Sequence, residues 1–438
     1  MPAVQRMENA MPSVVSVDVG RALRARSLPS CHPFDVVLLG CGNVGTAFAE
    51  LAARSHTSAI PVAISTALVR DARRHRPALR DALRTAVPEQ VFAGSPDVIV
   101  ELLGGLEPAR SLVLEALERH IPVVTANKSL LAAHGRELRE ASAATATPLL
   151  YEAAVIAGVP FLGTFARRPY ASRISSILGI ANGTSNYVLT RAANDRSDIA
   201  VALADAQRRG LAEPDPTNDV DGIDAAEKLI VLLQHFAGAD LRLADVERRG
   251  IREVTATDIE LAASLDGRIK PVIAAEWSDA ITAFVGPAFV PREHLLASVD
   301  DAENALVLGG PQGRVVFRGP GAGPEVTAAT VLDDVGEAVE GRVERSRPGL
   351  RSDVCAAPES EWFVTLAADR LPRGAETADL LASYGVFIRR TAPLRCTDGL
   401  ERSAALTWPA ERTRVERALA ALRTACGCEA RYFRALDA

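Results

Sequence analysis

Hydrophobic and polar residues follow one another along the first third of the chain in the order strand, turn, helix. Residues 34–39 are almost wholly apolar, and a glycine-rich turn and an amphipathic helix follow them. Further apolar runs begin at Asp97 and Ile121, with a helical pattern between them. Strands that alternate with helices of this length build a parallel, doubly wound sheet. The pattern therefore predicts an α/β, Rossmann-like domain over residues 34–150.

Three glycines stand between the first strand and the first helix. Gly40, Gly42 and Gly45 have the spacing G-x-G-x-x-G of a dinucleotide fingerprint. The first glycine allows the turn, the second lets a pyrophosphate approach the backbone, and the third packs the helix on the strand. An isolated motif of this kind is often only a tight turn. Its place between strand and helix predicts a phosphate site at the helix N-terminus, including Asn43 and Val44.

The residues after the second strand bear on the choice of cofactor. Residues 61–69 are predicted to form this strand, and Arg70 follows it. A guanidinium at this position suits the 2′-phosphate of NADP(H), whereas a site for NAD(H) usually has an acidic residue there. The pattern favours NADP(H), but Asp71 leaves NAD(H) open, and the local arginines are also compatible with a solvated helix start. Further cofactor contacts are expected at the ends of later strands and in a second glycine-rich turn: Leu103, Gly104, Lys128, Gly321 and Gly323.

Residues 210–233 carry the most informative chemistry of the chain. A carboxylate-rich turn leads into an apolar helix whose only lysine or arginine is Lys228. Asp221, Asp224 and Lys228 follow a helical spacing that predicts one shared polar face. A solvated Asp224–Lys228 pair is the simplest interpretation. The crowding of carboxylates instead indicates a site that holds a substrate ammonium and supplies a proton: Glu213, Asp215, Asp219, Asp221 and Asp224.

Composition narrows the class of protein. A chain of 438 residues can form two or three domains, and its 48% hydrophobic content and net charge of -6 are typical of a soluble protein with no electrostatic preference for nucleic acid. The six cysteines are scattered, which indicates a reducing cytoplasm. Residues 1–33 lack the apolar core of a signal peptide and are expected to be a disordered arm. No membrane association is expected.

Six motifs follow one another between about Phe34 and Val335. They are G-C-G-N-V-G at Gly40, T-A-N-K at Thr125, Y-E-A-A-V at Tyr151, G-I-A-N-G-T-S-N-Y at Gly179, G-L-A-E-P-D-P-T-N-D-V-D-G-I-D-A-A-E-K-L at Gly210 and G-P-G-A-G at Gly319. In this order and spacing they closely resemble homoserine dehydrogenase. The resemblance implies NAD(P)H-dependent reduction of L-aspartate 4-semialdehyde to L-homoserine, in threonine, methionine and isoleucine biosynthesis. It also implies a homodimer, or a tetramer built from dimers.

The resemblance assigns roles that suit the chemistry. Hydride addition to an aldehyde leaves an alkoxide, which needs a proton and a nearby positive charge. The implied catalytic residues are Lys228 and Lys128, and Asp219 is expected to orient Lys228 or a bound water. The implied substrate contacts are Glu213, Asp224, Asn182, Gly183 and Thr184. A monovalent cation, Na⁺ or K⁺, is implied on backbone oxygens of Glu152, Val155, Ala157 and Val159.

Residues 151–319 are expected to form an α+β catalytic and dimerisation domain, and residues 320–345 are expected to complete the dinucleotide-binding domain. After a linker at 346–358, residues 359–438 show the pattern β-α-β-β-α-β of a ferredoxin-like, ACT-like module. This pattern is complete enough to bury its own core, so deletion from about Pro358 is expected to leave a folded dehydrogenase.

Two departures from the family pattern matter for function. Ile156 stands where the family usually has small residues, mostly glycine, and it could crowd the nicotinamide or the substrate. The first strand of the module is followed by D-R-L-P-R-G-A instead of the aspartate and Pro-Gly turn of an amino-acid-binding version, so no threonine response is expected. Ile156 and this module favour, as an alternative, an oxidoreductase for a related amino-acid semialdehyde. A non-catalytic nucleotide sensor is disfavoured because both lysines and the carboxylates are retained.

Overall fold

The computed structural model describes residues 32–54, 60–166, 173–341, 355, 359–397 and 399–437. The structural statements below concern these residues. The expected N-terminal arm, residues 1–33, lies outside them except for its last two residues, and the linker 346–358 lies outside them except for residue 355. No helix in the described ranges is long and apolar enough to cross a membrane.

The first part of the chain forms a parallel sheet covered by helices. Its strands are β1 (Phe34–Leu39), β2 (Val62–Leu68), β3 (Leu83–Thr85), β4 (Val98–Glu101), β5 (Val123–Thr125) and β6 (Leu149–Leu150). Its helices are α1 (Asn43–Arg54), α2 (Ala109–Glu118), α3 (Lys128–Thr145) and α4 (Leu162–Ala166). The strands pair in the order β3-β2-β1-β4-β5-β6, and every pair is parallel. Such sheets bind dinucleotides where the strand order reverses, here between β1 and β4. The predicted Rossmann-like class is confirmed.

The rest of the chain builds a second sheet and most of the remaining helices. The strands are β7 (Ser176–Ile180), β8 (Glu247–Arg248), β9 (Gly267–Trp277), β10 (Ile281–Pro291), β11 (Glu303–Gly310), β12 (Gly313–Pro320), β13 (Glu361–Ala368), β14 (Ile388–Thr391), β15 (Arg395–Thr397), β16 (Leu400–Thr407) and β17 (Glu429–Ala435). The helices are α5 (Gly183–Asp195), α6 (Ile199–Arg208), α7 (Thr217–Val220), α8 (Ile223–Ala237), α9 (Ala256–Ser264), α10 (Pro324–Val339), α11 (Gly374–Ser383) and α12 (Arg412–Cys426).

Helix α10 returns to the first sheet after the chain has left it. It packs against α1 and against β4 and β5. Its apolar side chains Val331 and Val335 are fully buried in one cluster with Leu38 of β1 and Phe48 of α1. The glycine turn that precedes α10 is thereby held at the first domain.

The second sheet is mixed and continuous over eleven strands. Its main order is β12-β11-β7-β9-β10-β17-β13-β16-β14, with β8 paired to β10 and β15 paired to β16. The strands from β12 to β10 pair antiparallel. Strand β17 then joins β10 in parallel, at Ala288–Arg434 and Phe289–Ala435. The C-terminal strands therefore extend the sheet of the catalytic half.

Apart from the short β15, the strands of the C-terminal module lie in the order β17-β13-β16-β14, which is the fourth-first-third-second order of a ferredoxin-like βαββαβ unit. One face of its sheet packs against α11 and α12, with Trp362 and Leu419 in the cluster. The other face is also buried, because Phe363 and Phe433 share a cluster with Leu261 of α9 and Phe289 of β10. The module thus buries only one of its two faces by itself, which the sequence-based expectation of an independent unit overlooked.

Candidate active site

Two of the three glycines in the turn after β1 are required by close contacts, and the third leaves the backbone open. Gly40 has a φ of +95°, and a Cβ there would lie 2.5 Å from the carbonyl oxygen of Leu102. A Cβ on Gly45 would lie 2.4 Å from the carbonyl oxygen of Gly40, so this glycine allows α1 to pack closely on the turn. At Gly42 an added Cβ would meet nothing within 4 Å. The backbone at Gly42 is therefore open to a ligand, and Asn43 and Val44 start α1 directly beside it.

Arg70 and Asp71 follow β2 on the same edge of the sheet, and both are exposed. The Asp71 carboxylate accepts a hydrogen bond of 2.9 Å from the backbone amide of Arg73. The Asp71 carbonyl accepts one of 2.8 Å from the Arg76 guanidinium. Asp71 is thus engaged in its own turn, while Arg70 stands at the strand end where an adenosine ribose is read in such folds.

A buried carboxylate that the sequence analysis missed lies at the end of β4. Glu101 is fully buried, and its oxygens accept hydrogen bonds from the Thr125 hydroxyl at 2.5 Å and from the Leu103 amide at 2.8 Å. Burial raises the pKa of Glu101 despite these bonds. The bonds fix Leu103 and the following Gly104, whose φ is +72°, at the predicted cofactor edge. A charged residue in an otherwise apolar strand was the available signal.

The second glycine turn contacts the segment that follows β6. The Ala157 amide donates to the Gly321 carbonyl at 3.2 Å, and the Gly158 amide donates to the Pro320 carbonyl at 3.1 Å. Gly323 precedes α10 with a φ of +134°, which only glycine adopts readily. Gly321 and Gly323 therefore lie near the carboxyl end of β6, on the half of the sheet opposite to β2.

Two lysines from different helices meet one buried carboxylate. The Lys228 ammonium lies 2.9 Å from Asp224, one turn earlier on α8. The Lys128 ammonium, on the first residue of α3, lies 3.2 Å from the other oxygen of Asp224. Lys228 also donates to the Ala181 carbonyl at 2.7 Å. Lys228 is only 8% exposed, so the Asp224–Lys228 pair is not the solvated pair of the simplest interpretation.

Asn182 connects this cluster to a second carboxylate. Its side-chain amide donates to Asp219 at 2.7 Å and to Asp224 at 2.8 Å. Its side-chain oxygen accepts from the Ser185 amide at 2.7 Å, as an N-cap of α5. Asp219 thus reaches Lys228 through Asn182 and Asp224, and no direct Asp219–Lys228 bond occurs among the described side chains.

The charges of the cluster are strongly coupled. Burial alone would raise the pKa of Asp224, but the charges of Lys228 and Lys128 outweigh it and hold this pKa at about 2. Burial lowers the pKa of Lys128, yet the neighbouring charges of Asp224 and Glu227 leave it raised. Burial raises the pKa of Asp219. At neutral pH, Asp224 is therefore ionised and Lys128 keeps its positive charge.

A cleft of about 490 Å³ opens beside the cluster. Lys128, Asp219 and Asp224 line its inner part, and Glu213 lies exposed on the loop at its rim. The Thr184 hydroxyl donates to the Leu211 carbonyl at 2.9 Å and so ties this loop to α5. Beneath Thr184, a Cβ on Gly183 would lie 2.7 Å from the Ala302 carbonyl oxygen, and this close approach requires glycine.

Three of the five carboxylates of the turn do not join the cluster, because Glu213 lies at the rim of the cleft and Asp215 and Asp221 form other bonds. Gly222 has a φ of +73° and starts α8 after Asp221, so the helical phase expected for Asp221 is broken. Asp221 instead accepts from the Arg252 guanidinium at 2.6 Å. Asp215 accepts from the Thr217 hydroxyl at 2.6 Å. The expected shared face of Asp221 with Asp224 and Lys228 is therefore wrong.

The segment of the expected cation site is ordered by its own hydrogen bonds. The Glu152 carboxylate accepts from the amides of Phe161, Leu162 and Gly163 at 2.7, 2.8 and 2.7 Å. The Ala157 carbonyl accepts from the Thr330 hydroxyl, and Val155 and Val159 are buried.

Ile156 is completely buried in the apolar core with Phe161 and Leu131. Its side chain is not part of the lining of the cleft. The expected crowding of the substrate by Ile156 is therefore not seen in the cleft.

Fold and site together define a class of enzyme. Two lysines from α3 and α8 surround a buried carboxylate beside an open cleft, and one of them, Lys128, lies just after strand β5 of a sheet of the dinucleotide-binding type. A hydride carrier and a proton donor can meet at such a place, which is what a nicotinamide-dependent oxidoreductase requires.

Comparisons with known proteins identify the family. Residues 40–152 match the family described as homoserine dehydrogenase, NAD binding domain, and residues 160–335 match the family described as homoserine dehydrogenase. The homoserine dehydrogenase of Corynebacterium glutamicum is 34% identical over 398 residues, which cover 84% of this chain and 89% of that protein. The homoserine dehydrogenase of Synechocystis sp. is 42% identical over 254 residues, 56% of this chain and 59% of that protein.

A solved structure agrees over nearly the whole chain. The homoserine dehydrogenase from Thiobacillus denitrificans superposes with a TM-score of 0.83 at 29% identity, over 93% of this chain and 99% of that one. The chain belongs to the homoserine dehydrogenase family. It is accordingly an NAD(P)-dependent oxidoreductase that acts on a CH–OH group of a small molecule.

Proposed function

We propose that this chain reduces L-aspartate 4-semialdehyde to L-homoserine with NADPH. The observation that carries the proposal is the meeting of Lys228, Lys128 and Asp224 at the carboxyl edge of the dinucleotide-binding sheet. The bound nicotinamide supplies the hydride. Lys228 donates a proton to the aldehyde oxygen as the new alcohol forms, and the positive charge of Lys128 stabilises the developing alkoxide.

The acidic groups have separate roles in this proposal. Asp224 keeps both lysines in place, since each ammonium lies within 3.2 Å of one of its oxygens. Glu213 at the rim of the cleft, together with Asp224, attracts the substrate ammonium. Asn182, with Gly183 and Thr184 behind it, fixes the inner wall of the cleft. Asp219 orients Lys228 through Asn182, or it orients a bound water.

A substrate profile tests the proposal. We expect turnover with aspartate semialdehyde to exceed turnover with a semialdehyde that is one methylene longer, because the ammonium and the aldehyde must reach fixed partners at the same time. Ile156 was one motive for the alternative substrate; its side chain is buried in the apolar core and does not line the cleft, while crowding of the nicotinamide by Ile156 stays a prediction. Equal or higher kcat/KM for the longer compound would favour the related semialdehyde oxidoreductase.

We further propose that NADPH is preferred to NADH, with Arg70 binding the 2′-phosphate. The Asp71 carboxylate is occupied by the Arg73 amide, which supports this choice. Arg70→Ala is expected to lower kcat/KM for NADPH by about tenfold and to leave kcat/KM for NADH nearly unchanged, because it removes one charge-assisted hydrogen bond. Steady-state kinetics with both cofactors measure this.

Arg80→Ala is a suitable control for Arg70→Ala, since Arg80 is an exposed arginine that pairs only with the adjacent Asp81 among the described residues. Arg80→Ala should change neither the kcat/KM for NADPH nor the kcat/KM for NADH. A wild-type preference for NADH would show that the Asp71 carboxylate binds the ribose hydroxyls.

We propose a structural Na⁺ or K⁺ on the backbone carbonyls of Glu152, Val155, Ala157 and Val159. Asp334 supports this proposal, because it is buried beside Glu152 and accepts a 3.0 Å hydrogen bond from the Glu152 amide. Burial raises the pKa of Asp334 well above its ordinary value, and the charge of Glu152 adds to this effect. A monovalent cation would offset this concentration of negative charge and hold the turn beside Gly321.

We propose a homodimer, or a tetramer of dimers, as the working assembly. Strand β12 supports a subunit contact, since it is the edge of the second sheet and carries the exposed Val315 and Val316. An exposed apolar edge strand is otherwise prone to uncontrolled association.

A further inference from the structure

A second carboxylate of α8, Glu227, also lines the cleft. It lies three residues after Asp224 and directly before Lys228, and its side chain is half-buried. The Ser129 hydroxyl donates a hydrogen bond of 2.8 Å to one of the Glu227 oxygens. Ser129 is the second residue of α3 and follows Lys128. The Ser129–Glu227 bond therefore joins the first turn of α3 to α8, beside the ion pair of Lys128 with Asp224.

Asp224 is shared by several groups of the cluster. One of its oxygens lies 3.2 Å from the Lys128 ammonium. The other lies 2.9 Å from the Lys228 ammonium and accepts a hydrogen bond of 2.8 Å from the Asn182 amide. In the proposed reaction the substrate ammonium also approaches Asp224. Because a partly buried charge is costly without a counter-charge, two lysines beside one such carboxylate favour a second anion nearby.

Charged side chains surround Lys128 from α7, from α8 and from the loop before α7. They are Asp219, Asp224, Glu227, Lys228, Glu213 and Asp215. Burial lowers the pKa of Lys128, whereas the charge of Asp224 raises it most, that of Glu227 next and that of Asp219 after them. Burial also raises the pKa of Glu227, and the Ser129 bond and the charge of Lys128 oppose that rise. Glu227 and Lys128 thus stabilise each other's charged form.

We propose that Glu227 is a positioning residue for Lys128. Anchored by Ser129, its carboxylate supplies a second negative charge beside the Lys128 ammonium, so that Lys128 stays charged while Asp224 also binds Lys228 and the substrate. Glu227 acts through Lys128 and not on the reacting atoms. The inference rests on the proposed function, in which the positive charge of Lys128 stabilises the developing alkoxide.

The lysine content of the chain allows a direct measurement of this effect. The whole sequence contains three lysines, Lys128, Lys228 and Lys270. Lys270 is 1% exposed and binds Val299 and Asp300, and it does not line the cleft. Isotope-labelled lysine therefore gives three side-chain NMR signals, which single substitutions of the lysines assign. Each signal can be titrated with pH in the absence of substrate and cofactor.

The test compares Glu227→Gln with the wild type by this titration. Glutamine keeps the shape of the side chain and an acceptor for Ser129, but it removes the charge. A carboxylate favours the charged form of a neighbouring amine, so Glu227→Gln is expected to lower the pKa of Lys128 by about 1 unit. The Lys270 signal should titrate as in the wild type. The alkaline loss of kcat/KM should begin at a lower pH in Glu227→Gln, because Lys128 loses its proton earlier.

Another carboxylate provides a matched control. Glu137 lies on α3, binds Arg110 at 2.8 Å and is not part of the lining of the cleft. Its position is about 13 Å along the helix from Lys128, so salt and solvent screen its charge. Glu137→Gln should therefore leave the titration of Lys128 unchanged, although it breaks an ion pair as Glu227→Gln does.

Each result decides the assignment. An unchanged Lys128 titration in Glu227→Gln, with only a lower melting temperature, would show a structural role and overturn the proposal. A larger change in the Lys228 signal than in the Lys128 signal would also overturn it. The wild type covers a variant that fails to fold: its Lys128 should titrate above the ordinary value of lysine, and a titration well below that value would contradict the pairing. Failure of the wild type to reduce the semialdehyde would contradict the proposed function, while the titration would still test the pairing of Glu227 with Lys128.

Discussion

Lys228→Ala is expected to lower kcat by about 10²–10⁴-fold while the Kd for NADPH stays within about twofold. Lys228 contacts Asp224 and the Ala181 carbonyl at the substrate side of the site, and the described structure shows no contact between it and the glycine turns. Removal of its ammonium therefore takes away the proton donor and leaves the dinucleotide contacts intact. Stopped-flow reduction of the semialdehyde and a fluorescence titration of NADPH measure the two quantities.

A variant of a second buried lysine, Lys270, distinguishes a loss of catalysis from a loss of stability. Lys270 is 1% exposed and donates to the Val299 carbonyl at 2.6 Å and to Asp300 at 2.8 Å, away from the cleft. Lys270→Met should lower the melting temperature and change kcat by less than about tenfold, because a buried network is broken without loss of a reacting group. If Lys228→Met and Lys270→Met have equal kinetic effects, or if Lys228→Ala turns over normally, Lys228 is not the proton donor.

Removal of residues 359–438 is expected to destabilise the remaining protein strongly. Strand β10 would lose its pairing with β17, and Phe289 would lose its contact with the tilted ring of Phe363, whose centroid lies 5.1 Å away. Asp258 is fully buried on α9 and would lose its 2.6 Å hydrogen bond from Thr365. We expect a fall of about 10 °C or more in melting temperature, or aggregation through the exposed edge.

Two point variants in the full-length chain test separate parts of this fall in melting temperature. Phe363→Ala removes the ring contact, and Thr365→Val removes the hydroxyl that binds Asp258; each should reproduce part of the fall. A truncated chain that stays monodisperse and melts within about 2 °C of the full chain would show that the module is independent.

Threonine at millimolar concentration should leave the full-length enzyme active. Inhibition of the enzyme by threonine would show that the module is a working sensor despite its D-R-L-P-R-G-A segment.

The local parts of this fold could be predicted from the sequence. The apolar run of β1, the glycine spacing and the amphipathic α1 are short-range patterns, and the structure forms them as predicted. In the module, the successive apolar residues of β13 include Trp362, Phe363 and Val364, all of them buried. A strand that is apolar at successive positions is typical of one covered on both faces, so this signal for the second interface was present in the sequence.

The long-range parts of the site could not be predicted from the sequence. Lys128 and Asp224 are far apart along the chain, and only the packing of α3 against α8 brings them together. Asp221 was placed on the wrong face because Gly222, in the left-handed conformation, interrupts the helical phase. The φ of a glycine beside a helix cannot be predicted from the sequence. Asn304 lies in an apolar strand, and only the three-dimensional structure shows that its side chain has no hydrogen-bond partner among the described residues.

The most direct test of the central claim combines the purified chain with NADPH and L-aspartate 4-semialdehyde. Loss of the absorbance of the reduced nicotinamide should be matched by one equivalent of L-homoserine, identified by mass spectrometry. The loss should be absent without the semialdehyde and strongly slowed in Lys228→Ala. A protein that binds NADPH but yields no homoserine would contradict the account, and so would formation of homoserine at an unchanged rate in Lys228→Ala.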